Sequence, residues 1–598
     1  MFFRLSCFML VSGFASALTP QEEISAKVPA ARAVLDAWQA VNPEKAERKL
    51  HIVLWTPSDR DPAPRHEERL TAILHHIRDF YAKEMNRIGF GPRTLKFDYA
   101  DNGKIKIHVV KGAKPYANYK TESGSEIRTE CLRPLRAAGI DPDKETLVIF
   151  CNMSNWDAAT RTITQNSPYY AGGTNRGGTA WQVDSPILEL SSLAKKEPKV
   201  HDGQYGHISI GRYNSIFIGG ICHELGHALG LPHNLERLDE REAFGTALMG
   251  SGNRTYGEEL RGEGKGSFIT LAHALRLASH PMFCGSVKGM DLKPTAVPSD
   301  LAIEQNGKGF KFSGKVTADP PVYGVVAYMD PTGGGDYDAT SATAIPDKDG
   351  NFSIDCQALR PGKSAELRVV FLQANGVASG FLSSTPFRYP YQVAADGTAD
   401  ISATKAKLML QPLVDAVNAR DGAAVEVLLE KPAIQVDGKI HEIAKRLAAT
   451  LSPQRKAAAP DAASIPLSDL LATEEKTGYG PPVRDRVPGS NALLTCGGTV
   501  FSHGFYAHAP AKHVWNLGGT WKRLKGSAGL ADGNDGSIRF VIEGDGRELW
   551  KSDLVKTSRP LSYDLDLTGI QTLTLRTEDG GDTNRSDWAL WLEPVISR

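Results

Sequence analysis

His223-Glu224-Leu225-Gly226-His227 sets two imidazoles four residues apart, with a carboxylate directly after the first. On a helix this spacing puts both rings on one face, within reach of a single metal ion. Glu224 is then placed to polarise a water on that metal and act as a general base. Gly230 can adopt the left-handed backbone that ends a helix, and the turn brings His233 in as a third ligand. Five of the eleven positions from His223 to His233 are fixed by this pattern. That is far more specific than two histidines at helical spacing, which packing alone can produce. The chemistry implied is hydrolysis by metal-activated water.

The full HExxHxxGxxH pattern resembles that of the metzincin clan of zinc endopeptidases. The clan's methionine turn has a counterpart in Gly245-Thr246-Ala247-Leu248-Met249-Gly250. The resemblance implies an α/β catalytic domain with one catalytic Zn2+ held by His223, His227 and His233. It further implies Glu224 as general base and Met249 as an apolar floor beneath the metal; taken alone, Met249 reads as core. Some metzincins place a tyrosine after the methionine to stabilise the tetrahedral intermediate. Tyr256 is the nearest counterpart, at a spacing that departs from the clan's patterns.

The elements that must position these residues belong to a long chain. At 598 residues it exceeds what one core supports and calls for three or four domains. Its 41% hydrophobic and 23% charged residues are ordinary for soluble globular protein. Lys plus Arg and Asp plus Glu are 69 each, which argues against nucleic acid or an anionic membrane as the main partner. Arg4, the apolar run Leu5 to Phe14 and Ala15-Ser16-Ala17 read as a signal peptide over residues 1–17, so a secreted or periplasmic bacterial protein is expected. No stretch is long and apolar enough to span a bilayer. Cys7 falls in the leader, too early for a lipid anchor. Cys131, Cys151, Cys222, Cys284, Cys356 and Cys496 remain, and their pairing is left open. Cys222 reads as core or disulfide.

Residues 18–47 read as a helical lead-in or pro-segment, without a cysteine to occupy the zinc. Residues 48–290 form the α/β unit. Strands are expected at Leu50–Trp55, near 94–99 and 104–110, and at Thr146–Cys151; helices are expected over about 67–87, 124–138 and 214–229. The glycine-rich stretch Gly172–Val183 is either the edge strand that pairs with substrate backbone or a surface loop. Tyr169, Tyr170 and Trp181 around it are candidate substrate or glycan contacts. Residues 295–395, with alternating segments split by Asn306-Gly307, Asp349-Gly350 and Asn375-Gly376, read as an immunoglobulin-like β-sandwich without evident chemistry, a spacer or packing module. Residues 402–463 read as two helices broken at Asp421-Gly422, followed by a linker from 455.

Residues 465–598 return to all-β. Ile465-Pro466-Leu467-Ser468-Asp469-Leu470, Cys496-Gly497-Gly498-Thr499-Val500, Gly504–Ala509, Asn516–Trp521, Gly536–Gly546 and Asp587–Trp591 follow in order, and together they resemble the NPCBM domain, the novel putative carbohydrate-binding module. The resemblance implies a jelly-roll related to galactose-binding domains and a glycan partner. Tyr506, Trp521, Trp550 and Trp588 are candidates to stack on sugar rings or to fill the core. Asp532, Asn534 and Asp535 read as a structural Ca2+ site or as a turn.

The expectation is a secreted zinc endopeptidase that cleaves O-glycosylated, mucin-type protein and is held to glycan by its C-terminal module. Two alternatives stand: a general secreted metallopeptidase merely localised by that module, and a glycan-binding adhesin with an inactive metal domain.

Overall fold

The structure is a computed structural model that describes residues 18–333, 335–380, 387–452, 462–489 and 493–598. The expected leader at 1–17 and most of the expected linker from 455 lie outside the described residues. β1 (Leu50–Thr56) is buried along nearly its whole length because it is central. β2 (Ile107–Lys111) and β3 (Thr146–Cys151) flank it in parallel. Parallel strands covered on both faces read as continuous apolar runs, which is why β1 and β3 were visible in the sequence. The glycine-rich stretch resolves into a hairpin, β4 (Tyr170–Thr174) and β5 (Gly177–Val183), with β5 parallel to β3 and β4 antiparallel at the sheet edge. The sheet order is β2-β1-β3-β5-β4.

The strand expected near 94–99 does not form. Leu95 and Phe97 are buried, so the alternation was real, but the segment after Gly91-Pro92 packs its side chains with only scattered backbone bonds, such as Leu50 N–H to the Lys96 carbonyl at 2.8 Å. A four-stranded sheet of short, polar strands that includes the hairpin Lys199–Asp202 and Gly206–Ser209 was not foreseen.

α1 (Pro20–Ala40) opens with a capping box between Thr19 and Glu22. Its residues Ile24, Val28, Ala31 and Leu35, at helical spacing, are buried in the same core as α2 (His66–Ile88). Lys27 donates to the Thr343 carbonyl at 2.6 Å and Glu23 pairs with Arg237 at 2.8 Å. The helix is therefore built into the body. Leu35 is fully buried. Leu35→Ala is expected to lower unfolding free energy by about 2–5 kcal/mol, read by urea denaturation.

α3 (Gly124–Ala137) covers one face of the main sheet; α2 and α4 (Ile210–Ala228) cover the other. The β-sandwich pairs a three-stranded sheet with a six-stranded one. It is not a spacer. Tyr323, Val326, Tyr328, Val370 and Leu372 join the same core as Leu275 and Met249, Tyr323 donates to Ser279 Oγ at 2.9 Å, and Leu235 N–H donates to the Ala339 carbonyl at 2.7 Å.

The helical segment comprises Ser402–Ala419, Gly422–Leu429, Pro432–Gln435 and Gly438–Ala449, and Asp421 caps the second helix through Ala424 N–H. The C-terminal unit has two five-stranded sheets. It touches the sandwich directly, Gln392 donating to Thr499 Oγ1 at 3.0 Å. The six cysteines of the described residues are all unpaired, five of them buried. No helix among the described residues is long and apolar enough to cross a membrane.

Candidate metal centre

α4 starts at Ile210, earlier than the sequence suggested, because the Ser209 hydroxyl accepts from Arg212 N–H at 3.1 Å. It is buried almost throughout, and small residues set how closely it packs. A Cβ on Gly226 would lie 2.3 Å from Met249 Sδ, one on Gly220 would lie 1.8 Å from the Tyr169 hydroxyl, and the Ala228 carbonyl sits where Cβ atoms of Gly173 and Gly178 would be. The helix ends at Gly230, φ +82°, with Leu231 N–H bonded to the Gly226 carbonyl at 2.9 Å. The chain then turns and brings in His233.

The ring nitrogens of His223, His227 and His233 lie within 4.8 Å of one another. Each ring is fixed from behind. His223 Nδ1–H donates to the Leu248 carbonyl at 2.7 Å and His227 Nδ1–H to the Leu231 carbonyl at 2.8 Å. The Gly335 carbonyl serves His233. Burial lowers all three pKa values, His223 to about 3 and His233 to about 4. The neutral rings therefore present lone pairs at Nε2, and the Nε2 atoms of His227 and His233 face each other at 2.9 Å. Two acceptors so placed, each with its other nitrogen committed to a carbonyl, form a donor set suited to a divalent cation. These residues fit zinc. Among the described residues this is the one such His, Cys or carboxylate group.

Glu224 is buried and has no cationic partner among the described residues, so desolvation pushes its carboxyl up to about 8. Met249 is buried under Gly226, and its turn supplies the Leu248 carbonyl that orients His223.

Tyr256 does not reach this centre. It is buried between α2 and α4, its ring 5.6 Å from His76 and 5.4 Å from Phe80, with Cβ against Gly219. The phenol beside the histidines is Tyr337, from the sandwich loop that follows strand Val322–Pro331. Its ring lies 3.6 Å from that of His233, centroid to centroid, and half of its surface is exposed (50%). The adjacent Asp336 is held by Arg368 at 3.0 Å. Sequence reasoning missed this strap; the run Gly333-Gly334-Gly335 before Asp336-Tyr337-Asp338 was its signal.

The three candidate contact aromatics are split between the two faces of the sheet. Tyr169 turns its hydroxyl toward α4, donating to the Ile216 carbonyl at 3.3 Å. Tyr170 and Trp181 pair across β4 and β5 on the α3 face, rings 5.1 Å apart. They line a groove of about 420 Å³ with Arg128, Asp143 and Thr179. Trp181 Nε1 is buried without a partner among the described residues.

In the C-terminal unit Tyr506 and Trp521 belong to the core, whereas Trp588 and Trp550 are half-buried. Tyr479, 61% exposed and not foreseen, joins Trp588 at 6.2 Å and His508 at 5.5 Å in an aromatic patch. Two of the three expected calcium ligands are engaged within the protein: Asp532 accepts from Ser558 Oγ and Gly498 N–H, and Asn534 donates within its turn to the carbonyls of Ala531 and Asp532.

Residues 463–597 match the NPCBM/NEW2 domain family. No curated protein matches the chain. Among solved structures, wild-type OgpA from Akkermansia muciniphila is 27% identical over 60% of this chain and 97% of its own, with a TM-score of 0.48. Catalytically inactive OgpA in complex with an O-glycopeptide substrate, glycodrosocin, is 26% identical over 60% and 97%, also at 0.48. The CBM51 domain of a Clostridium perfringens GH95 protein, in complex with methyl-galactose, is 23% identical over 22% and 99%, at 0.21.

Proposed function

We propose that this chain is a secreted zinc endopeptidase acting on O-glycosylated, mucin-type protein, with its NPCBM domain binding glycan. The observation that carries the peptidase reading is the convergence of three neutral histidines beside a buried, unpaired Glu224. A zinc ion held by His223, His227 and His233 would supply Lewis-acid polarisation of a carbonyl and would acidify water. Glu224 accepts the proton as the water oxygen attacks the scissile carbonyl carbon, then delivers it to the amine nitrogen as the C–N bond breaks. β4, an exposed antiparallel edge, offers its free backbone groups to an extended peptide. The groove lined by Tyr170, Arg128 and Asp143 suits sugar hydroxyls, and the Tyr479–Trp588 patch suits a sugar face. Glu224 argues against the adhesin reading, since a metal scaffold has no use for an unpaired buried acid.

Metal analysis tests the centre: stoichiometric zinc is expected in the wild type and substoichiometric zinc in His227→Ala, and equal zinc in both defeats the assignment. Matched synthetic peptides, one carrying a single N-acetylgalactosamine on serine or threonine and one bare, test the substrate class. Cleavage of the glycosylated peptide faster by at least about 100-fold is expected, because polar groups built for a sugar stay unpaired with a bare peptide. Equal rates favour the general peptidase instead.

A further inference from the structure

On the flank of α4 that carries His223 the protein presents a cation that the hydrolytic chemistry does not use. Arg254 lies on the helical turn Asn253–Thr255, directly after the methionine turn. That turn is pressed onto α4 one helical turn before His223, since a Cβ on Gly219 would lie 2.5 Å from the Asn253 carbonyl. Arg254 is exposed and has no acidic partner among the described residues. Its guanidinium carbon stands 6.0 Å from the Tyr205 ring centroid.

Tyr205 is itself fixed. It sits at the tip of the hairpin Lys199–Ser209, its backbone N–H is held by Asp202 at 2.8 Å, and its ring is 6.4 Å from Phe217 of α4. From the other side the sandwich strap brings Tyr337 onto His233. Gly219, against which the Arg254 turn packs, and His223, whose ring lies 6.4 Å from that of Tyr337, are four residues apart on one face of α4, and the charge of Arg254 acts on both phenols.

We propose that Arg254, with the hydroxyls of Tyr205 and Tyr337, forms a subsite for a carboxylate on the substrate. The inference rests on the peptidase reading and adds a preference to it. An exposed arginine is ordinarily a solvated surface charge. This one stands 6.0 Å from the Tyr205 ring, lacks an acidic partner among the described residues and lies on the His223 flank of α4. A guanidinium offers paired N–H groups in the geometry of a carboxylate, and the phenols supply further donors. The carboxylate can come from an aspartate or glutamate of the peptide or from a sialic acid of its glycan.

The test uses the full chain carrying Glu224→Ala, which binds without cleaving, and reads affinity by fluorescence anisotropy. One arm compares glycopeptides that differ only by Asp against Asn at successive positions around the glycosylated residue. A second arm compares the same glycopeptide with and without sialic acid. In one arm the acidic form is expected to bind about 5- to 20-fold tighter at low salt, falling as ionic strength rises. Adding Arg254→Gln is expected to erase that difference, and Arg254→Lys to keep part of it. Glycopeptides that bind with no acidic preference in either arm overturn the subsite alone, as does a preference that survives Arg254→Gln. No binding by any glycopeptide, neutral or acidic, overturns the glycopeptidase reading and the subsite with it.

Discussion

Glu224→Ala is expected to keep its fold and its metal while turnover falls by about 10²- to 10⁴-fold, the range a positioned general base contributes. The argument begins with burial. Glu224 lies on α4 beside His223, and the only influence shifting its pKa is desolvation, which lifts the carboxyl to about 8. A carboxylate held beside the metal ligands without a competing ion pair takes a proton from an acidified water and can release it to a leaving amine. The same fact fixes the stability effect. In the chelated, metal-free protein the folded carboxyl keeps its proton between the usual 4.5 of a glutamate and about 8, where the unfolded chain has lost it. Stability therefore falls as pH rises through that window. His223 and His233, lowered to about 3 and 4, act in the opposite sense below 6.5, where the unfolded chain takes up their protons. Comparing chelated wild type with Glu224→Gln isolates the first effect: from pH 6.5 to 8 the wild type's melting temperature should fall more steeply than the variant's, since Glu240 and Asp330, both raised to about 7, act alike in the two. Full turnover by Glu224→Ala would require another base.

Much of this centre was legible because local patterning and chemistry coincide there. The ligand spacing, Gly230 and the methionine turn are all contained in residues 223–250, where short-range geometry decides the outcome. β1 and β3 were legible as apolar runs for the same reason. Tyr337 was not. It lies 104 positions beyond His233 in a polar loop, and only the docking of Tyr323, Val326 and Leu372 onto the catalytic core carries it to the histidines. Tyr256 failed for the converse reason: it is near in sequence but faces the wrong side of α4, where Phe80 and His76 enclose it. In the C-terminal unit composition could not tell Tyr506, packed in the core, from Tyr479, which stands on the surface. Burial of an aromatic there depends on which sheet faces which, and that is settled only by long-range pairing.

Gly178→Ala is expected to damage both stability and metal binding. Gly173 and Gly178 are register partners on β4 and β5, and both face the C-terminal end of α4. A Cβ on Gly178 would lie 2.1 Å from the Ala228 carbonyl oxygen and 2.8 Å from the Gly172 carbonyl oxygen. Both are backbone atoms, so no side chain can swing away. The sheet or the helix must move by about 1 Å, and interiors packed at crystal density do not absorb such a shift cheaply. The expected cost is about 1–3 kcal/mol in urea unfolding of the metal-free protein. Ala228 directly follows His227, so the same displacement pulls one ligand away from the other two. Disturbing the support of a ligand typically weakens metal affinity about 10- to 100-fold, to be read by competition with a chromogenic chelator. Gly172→Ala is the control for the fold: it sits in the same hairpin but points to the other face, where a Cβ meets nothing within 4 Å. An unfolding midpoint and a metal affinity both unchanged in Gly178→Ala would mean that the edge hairpin does not set the position of the active-site helix.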